Sequence, residues 1–572
     1  VSSRILLISN FSTSFKLSAQ HYLAFTHFTG IINEMSILIK TLEDDAFKKL
    51  NELCSKVTES DPNYIACATS TTVALYAEKG NEGLDIFYLL FAGTLVFFMQ
   101  TGFAMLCAGS VRQKNVKNIM LKNLLDACGG ALSFWAVGYA FAYGGQDSSK
   151  VTFIGDTNFL LMDEDSGDGY IFFFFQFAFA ATASTIVAGT VAERCKMSAY
   201  LCYSVVLSGF VYPVIVHSIW SSSGFFCAWN DNPTFGSGVI DFAGSGVVHL
   251  TGGTTALVAA KILGPRLGRF HDSNGNILPE PRNFPPHSAA LQILGTFILW
   301  VGWYGFNPGS TLMISAGNGY TAALCAVTTT LSAATAAVTA VLTTTIFDEF
   351  RTGEQMYDLS MAMNGALSGL VGVTAGCAVV EPWAAVVIGI VSAWVYICFS
   401  SLLVKLRIDD AVDAVPVHFG SGLWGLIAVG LFASPRNLER ANFNSTHVGW
   451  FYEWSRGSGK GYLLLNQIFA IIWIISWTGA LMGPFFYVLS FFNMFRVDPI
   501  EEEVGLDIAH HKGAAYDFSG SMAKNADEID CGFDTPNYNS AANGASEPAE
   551  EHNDLSNKVI HAKEDVQCTE GS

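Results

Sequence analysis

Residues 241–253 read DFAGSGVVHLTGG, a glycine-rich stretch with an ionisable side chain, His249, in the middle of a long apolar run. A helix across a hydrocarbon core of ~30 Å needs about 20 mainly apolar residues, and this run meets that length. Ionisable groups at such depth are costly; they face a cavity or the bundle interior and often mark a pathway. The competing explanation is a histidine that only hydrogen-bonds a neighbouring helix, the commoner case in a soluble core.

Similar apolar runs recur along the chain. Of its 572 residues 51% are hydrophobic and 14% charged, with 44 phenylalanines, a composition foreign to soluble domains. The runs predict an all-α polytopic membrane protein with eleven spans, near 86–109, 119–144, 169–191, 199–220, 239–262, 288–307, 320–347, 358–377, 384–405, 414–433 and 462–495. An odd number sets the termini on opposite sides of the lipid bilayer. Lys and Arg gather in one set of loops (Arg112, Lys114, Lys117, Arg194, Lys196, Arg266, Arg269, Arg282, Arg351, Lys405, Arg407), whereas the other set holds Lys150, Arg436, Arg440, Arg456 and Lys460. The richer set is read as cytoplasmic, with the N-terminus outside and the C-terminus inside. Four of the five exceptions share the loop 434–461, which also carries the sequon Asn444-Ser445-Thr446.

The net charge of -19 is unevenly placed: from Arg496 onward 17 acidic side chains face 5 basic ones, leaving -7 for the rest. The acidity therefore belongs to a tail and gives no ground for a nucleic-acid partner. Four segments follow: an extracellular extension, 1–83; a membrane domain, 84–495; a cytoplasmic segment, 496–518; and an acidic tail, 519–572, too poor in apolar residues to fold alone. The extension has no signal-peptide pattern, and the more ordinary sequence from Met35 makes 1–34 an expected non-native addition. The twelve cysteines show no metal-ligand spacing, and neither a metal nor a cofactor is called for. Cys54, Cys67 and Cys227 are the ones placed to meet an oxidising exterior, where a disulfide is an open alternative.

The opening stretch has a second copy 169 residues on: DAVDAVPVHFGSG, residues 410–422. Asp241 precedes His249 by eight residues, and Asp410 precedes His418 by eight. Each Asp stands near a helix N-terminus, where a carboxylate accepts free backbone N–H groups. Eight helical residues advance ~12 Å, so two such helices starting from opposite faces both bring their His near the midplane. That is the pattern of an inverted repeat with a site at its interface. Asp410 and Asp413 are read as structural.

With both copies in view, the sequence resembles the ammonium transporter family, Amt/MEP/Rh, in its plant- and alga-type branch. DFAGSGVVHLTGG carries the resemblance with AMLCAGSVRQKNVKNIMLKN (104–123), TVAERCKMSAY (190–200), WYGFNPGS (303–310) and DDAVDAVPVHFGSGLWG (409–425), over roughly residues 84–516. The resemblance implies a pseudo-twofold between helices 1–5 and 6–10 and a homotrimer with one pore per subunit. It implies that Phe179 and Phe306 stack as a gate, and that Phe179, Trp220 and Ser310 form an outer recognition site. Trp303 would line the same region, and Asp241 would support that site from below. His249 and His418 would be the twin pore histidines, a proton relay. Phenylalanine is so frequent here that any single one is core by default; the motif alone singles out Phe179 and Phe306. Trp220 by itself reads as a membrane-belt residue. The segment 501–518 resembles the family's regulatory region, with Ala509 where plant members commonly carry a phosphorylatable threonine; Ser519 and Ser521 are further hydroxyls.

The function implied is transport of ammonium or ammonia, and of methylammonium, across the plasma membrane for nitrogen uptake. Aromatic faces attract a desolvating cation by ~2 kcal/mol, and Ser310 offers a hydrogen-bond acceptor that ammonium can use and potassium cannot. Two touching imidazoles share one proton but resist two. The alternatives are an Rh-like channel for ammonia or carbon dioxide, which Trp220 and Ser310 argue against, and an ammonium sensor, for which no output domain is visible. An enzyme is the third class; the histidines have neither a nucleophile nor a ligand set beside them.

Overall fold

The structure, a computed structural model, describes residues 62–516. The chain divides into two units, 1–84 and 85–572; of the first, only the opening turns of the first helix fall in the described range. Cys54, the side chain of Cys67, residues 1–34 and the tail from Asp517 onward, with Ser519 and Ser521, lie outside it. Cys227 is buried and free.

The described residues are helical, with only isolated β-bridges between them. Ten long helices are apolar enough to cross a membrane: α1 (Pro62–Ser110, apolar from Lys79), α2 (Gln113–Tyr143), α3 (Gly167–Thr190), α4 (Met197–Trp220), α5 (Ser245–Leu263), α6 (Ala289–Gly309), α7 (Gly319–Thr352), α9 (Pro382–Lys405), α10 (Val415–Phe432) and α11 (Tyr462–Phe491). Between α7 and α9 lies α8 (Leu359–Thr374), apolar but only 16 residues long. It occupies the expected span 358–377. Ser166, Ser288 and Asp358 cap α3, α6 and α8 by accepting backbone N–H bonds at 3.0, 3.3 and 2.7 Å.

The span expected from residue 239 starts as helix only at Ser245. Residues 239–244 are non-helical, ending in Gly244 at a φ of +102°, which a side chain would strain. The eight residues from Asp241 to His249 thus contain only one helical turn, and the ~12 Å rise reckoned for eight helical residues is too large.

Helix α5 packs between α3 and α11, and α7, α8 and α9 pack on one another. The close approach of α5 to α10 fixes the site. A Cβ on Gly253 would come within 2.4 Å of the Phe419 backbone nitrogen, and one on Gly422 within 2.7 Å of the Ser245 carbonyl. Glycine at these two points lets the two histidine-bearing helices touch.

Candidate functional site

Both copies of the motif fold by the same device. The fully buried Asp241 carboxylate accepts N–H bonds from Gly244 (3.1 Å), Gly246 (2.9 Å) and Val247 (2.7 Å). Asp410 accepts from Val412 (3.3 Å) and Val415 (2.7 Å). Each carboxylate therefore binds the amide five residues on, and each helix opens with a wide π-type turn, Ser245–Leu250 and Val415–Gly420, that contains its histidine. Such turns displace a side chain from the regular helical position and are frequent at functional sites. Asp413 accepts from the Tyr396 (2.9 Å) and Ser400 (3.0 Å) hydroxyls, bracing α10 against α9.

The two histidines meet. Nδ1 of His249 and Nδ1 of His418 are 3.2 Å apart, with ring planes 15° from parallel. Both are buried, and Nε2 of His249 has no hydrogen-bond partner. Trp303 lies nearly parallel to His249 at 5.2 Å and donates its Nε1 proton to Thr374 (2.9 Å). It is fully buried against the histidine, and so stands a layer below the recognition site in which it was expected.

Above the pair, Phe306 lies 5.5 Å from His249 and stacks on Phe179 at 4.1 Å and 25°. Trp220 meets Phe179 edge-on at 5.9 Å and donates its Nε1 proton to the Asp241 carbonyl (2.7 Å). Asp241 thus reaches the aromatic site through its backbone while its carboxylate holds the helix start. Phe179, Trp220 and Ser310 share the wall of one cavity with Tyr143, Gln176 and Trp229. Ser310 ends α6 and donates its hydroxyl to the Phe306 carbonyl (2.8 Å), leaving its oxygen free to accept. On the far side of the histidines a second cavity is lined by His418, Phe103, Thr185, Asn364 and Val412. The aromatic pair and the histidines separate the two cavities.

The sequence reading missed Phe103, 6.2 Å from His418, and Gln176, Tyr143 and Trp229. Gln176 stood out only as a polar residue inside the Phe-rich run YIFFFFQFAF.

A profile described as the Ammonium Transporter Family matches residues 86–516. The chain belongs to the ammonium transporter family. It is 44% identical over 448 residues to ammonium transporter 1 member 3 of Solanum lycopersicum, covering 77% of this chain and 94% of that protein. Ammonium transporter 3 of Dictyostelium discoideum is 40% identical over 437 residues, covering 76% and 94%. Among solved structures, one described as a Sensor Amt Protein superposes with a TM-score of 0.64 at 31% identity, covering 76% of this chain and all of that one. Mep2 of Candida albicans superposes at 0.63 and 27% identity, covering 78% and 91%. Membership in the ammonium transporter family makes this a multi-pass membrane protein of a transporter family, not an enzyme.

Two further features bear on the transporter fold. Between helices, the buried Glu193 carboxylate takes Arg112 (2.5 Å) and Arg266 (3.0 Å), and Asp409 takes Arg266 through Nε (2.8 Å) and a second nitrogen (3.0 Å). Burial pushes these carboxyls up, but the guanidiniums prevail: those of Arg266 and Arg112 hold Glu193 below its ordinary range, and those of Arg194 and Arg266 hold Asp409 well below its own. The segment after α11 docks beside this network. Glu502 accepts from Arg496 and the Leu267 amide, both at 2.7 Å, and Asp507 accepts from the amides of Lys117 (3.0 Å) and Asn118 (2.9 Å).

Proposed function

We propose that the protein carries ammonium across the plasma membrane through the path between the two cavities, and that methylammonium follows the same route. In this reading the cavity of Phe179, Trp220 and Ser310 is the outer one. An ammonium ion shedding water there meets two aromatic faces and one hydroxyl acceptor. The stacked Phe179 and Phe306 leave no aqueous way through, so the ion must pass a layer where charge is heavily penalised.

The histidine pair is the group able to remove that charge. At 3.2 Å the two Nδ1 atoms hold one proton between them, which leaves both Nε2 atoms free to accept or give one as the shared proton shifts. Ammonium delivers its proton to the pair, and neutral ammonia continues along the apolar segment. Asp241 and Asp410 hold the wide turns that aim the rings, and Asp413 braces the second. The contact between His249 and His418 beneath the aromatic stack carries this reading.

The same reading makes α1 to α11 eleven spans of a domain over 84–495, with the N-terminal extension 1–83 outside and the C-terminus inside. Residues 496–518 are a cytoplasmic regulatory segment, 519–572 a solvated tail, and the assembly a homotrimer. Labelled methylammonium uptake and ammonium-evoked current, in cells lacking their own transporters, test the proposal with wild type and Trp220→Leu. Saturable uptake by wild type, weakened by the substitution, is expected; wild-type uptake no greater than in untransformed cells would overturn it.

A further inference from the structure

Beside the second cavity lies a cluster of buried polar groups to which the transport reading above assigns no part. Asp126 of α2 is fully buried, as are Ser184 and Ser204; Thr185 and Gln100 of α1 are nearly so. The Thr185 hydroxyl lies 2.6 Å from one Asp126 carboxyl oxygen, 2.7 Å from the Gln100 side-chain oxygen and 2.7 Å from the Ala181 carbonyl. Ser184 approaches the same Asp126 oxygen at 3.0 Å.

The proton count at Thr185 is informative. One hydroxyl proton faces three oxygens, and a hydroxyl donates once. The set closes when the Gln100 amide is turned so that its NH2 points at Thr185 and the Asp126 carboxyl carries a proton; Thr185 then donates to Ala181 and accepts from both neighbours. The charge argument agrees. The cation one turn back, Lys122, gives its ammonium to the Cys195 carbonyl (2.6 Å), and the partners of Asp126 are hydroxyls. A buried carboxylate without a paired cation is expensive, whereas the acid is not.

The cluster is also open-valenced. The far atom of the turned Gln100 amide is buried without a partner, and the second Asp126 oxygen has only the Ser204 hydroxyl near it; water normally fills such vacant bonds. Thr185 meanwhile lines the second cavity together with His418, so this residue stands between the cluster and the space beneath the histidine pair.

We propose that Asp126, linked by Thr185, is a second protonatable site that exchanges its proton with the cavity under His418 through water. It rests on the transport reading, in which the histidine pair takes up the substrate's proton. From the resting acid, the Asp126 O–H proton passes to the Thr185 oxygen while Thr185 turns its own O–H from the Ala181 carbonyl and gives that proton to a water oxygen or imidazole nitrogen on the cavity side. The reverse sequence refills the carboxylate, with no other reactant.

The test uses the full chain in liposomes. Infrared difference spectra are recorded on perfusing ammonium chloride, in H2O and D2O, for wild type, Asp126→Asn, Thr185→Val and Thr185→Ser, alongside methylammonium uptake. Expected is a carboxylic-acid C=O band that changes with ammonium, moves in D2O and vanishes in Asp126→Asn. Thr185→Val should lose the ammonium response of that band and slow uptake about tenfold, with Thr185→Ser restoring both. A band indifferent to ammonium, or an unchanged spectrum in Asp126→Asn, overturns the inference. If Asp126→Asn fails to fold, the Thr185 variants decide: equal responses in Thr185→Val and wild type overturn it. Wild-type uptake with a silent Asp126 band sinks this site alone, whereas absent wild-type uptake sinks the transport reading itself.

Discussion

Nδ1 of His249 faces Nδ1 of His418 across 3.2 Å, a gap with room for one shared proton and not for two. The repeated motif, the two wide turns and the glycine contacts between α5 and α10 all converge on that distance. Replacing His249 with Ala removes the group that shares the proton and opens a hydrated gap beside Trp303. Methylammonium uptake should fall at least about tenfold with protein abundance unchanged. Uptake and current both at wild-type values would remove the pair from the mechanism.

Trp220 has two jobs that substitution can separate. Its ring meets Phe179 edge-on in the first cavity, while its Nε1 proton is bonded to the Asp241 carbonyl. Trp220→Phe keeps an aromatic face and loses the hydrogen bond; Trp220→Leu loses both. If cation attraction recruits the substrate, the Leu variant should raise the KM for methylammonium by about five- to thirtyfold, matching a ~1–2 kcal/mol aromatic contribution. The Phe variant should fall well short of that. Equal KM values for Leu and wild type would leave Trp220 only the hydrogen bond.

The Asp241 carboxylate holds three backbone amides that α5 cannot satisfy otherwise. Asp241→Ala strands them in a buried setting, at a cost of ~1–3 kcal/mol for each unsatisfied group. Loss of thermal stability should therefore accompany loss of transport, read by melting of the purified protein. Asp241→Asn retains one carbonyl acceptor and should sit between Ala and wild type. A stable Asp241→Ala protein without uptake would instead give the carboxylate a direct part in transport.

The sequence disclosed the site through repetition. The Asp–His spacing, found twice, picked out Asp241, His249, Asp410 and His418 before any fold was known, because both helices need the same carboxylate at the same turn. The aromatic residues were different: Phe179 and Phe306 are two phenylalanines among 44, and only the motifs around them singled them out. Trp303 was set one layer too high, since WYGFNPGS does not say which way a ring points along a helix. The 239–262 span was misjudged at its start because FAGSG is apolar enough to cross a membrane and too rich in glycine to stay helical. Gln100, Asp126 and Thr185 were invisible as a group, for they come from three helices with no shared spacing.

The Arg266 network supplies a pH test outside the membrane. Glu193 and Asp409 are both held below their ordinary values by guanidiniums. A carboxyl lowered in the folded state contributes stability that is present above its unfolded value and lost as pH falls through the folded one. In wild type, then, acid should unfold this region only below the ordinary carboxylate range. Arg266→Met keeps the side chain's bulk but removes the guanidinium shared by the two buried carboxylates, which costs ~3–5 kcal/mol when a buried pair is broken. Burial then acts on them with less opposition, so their folded values rise and the acid loss of stability should begin at higher pH. Melting temperature followed from neutral to acid pH should show a lower plateau and an earlier decline for the variant. Superimposable curves would mean that Arg112, Arg194 and Arg269, whose Nε lies 3.7 Å from Asp409, hold the carboxylates without it.

The docked C-terminal segment gives the last prediction. Asp507 accepts the two amides of Lys117 and Asn118 at the start of α2, and the Leu506 amide donates to the Asn115 side chain (2.9 Å). These bonds satisfy N–H groups that the helix leaves open, so the segment acts as a cap supplied from a distance. Asp507→Ala removes both acceptors at once, while Asp507→Asn keeps one oxygen. With about 1 kcal/mol at stake per bond, the Ala variant should expose residues 496–516 to limited proteolysis roughly thirtyfold faster than wild type. The Asn variant should be cut at an intermediate rate. If the segment regulates transport, uptake should change in the same order as cleavage, and the KM set by Trp220 should not move. Faster cleavage with constant uptake would keep the dock and remove its regulatory part.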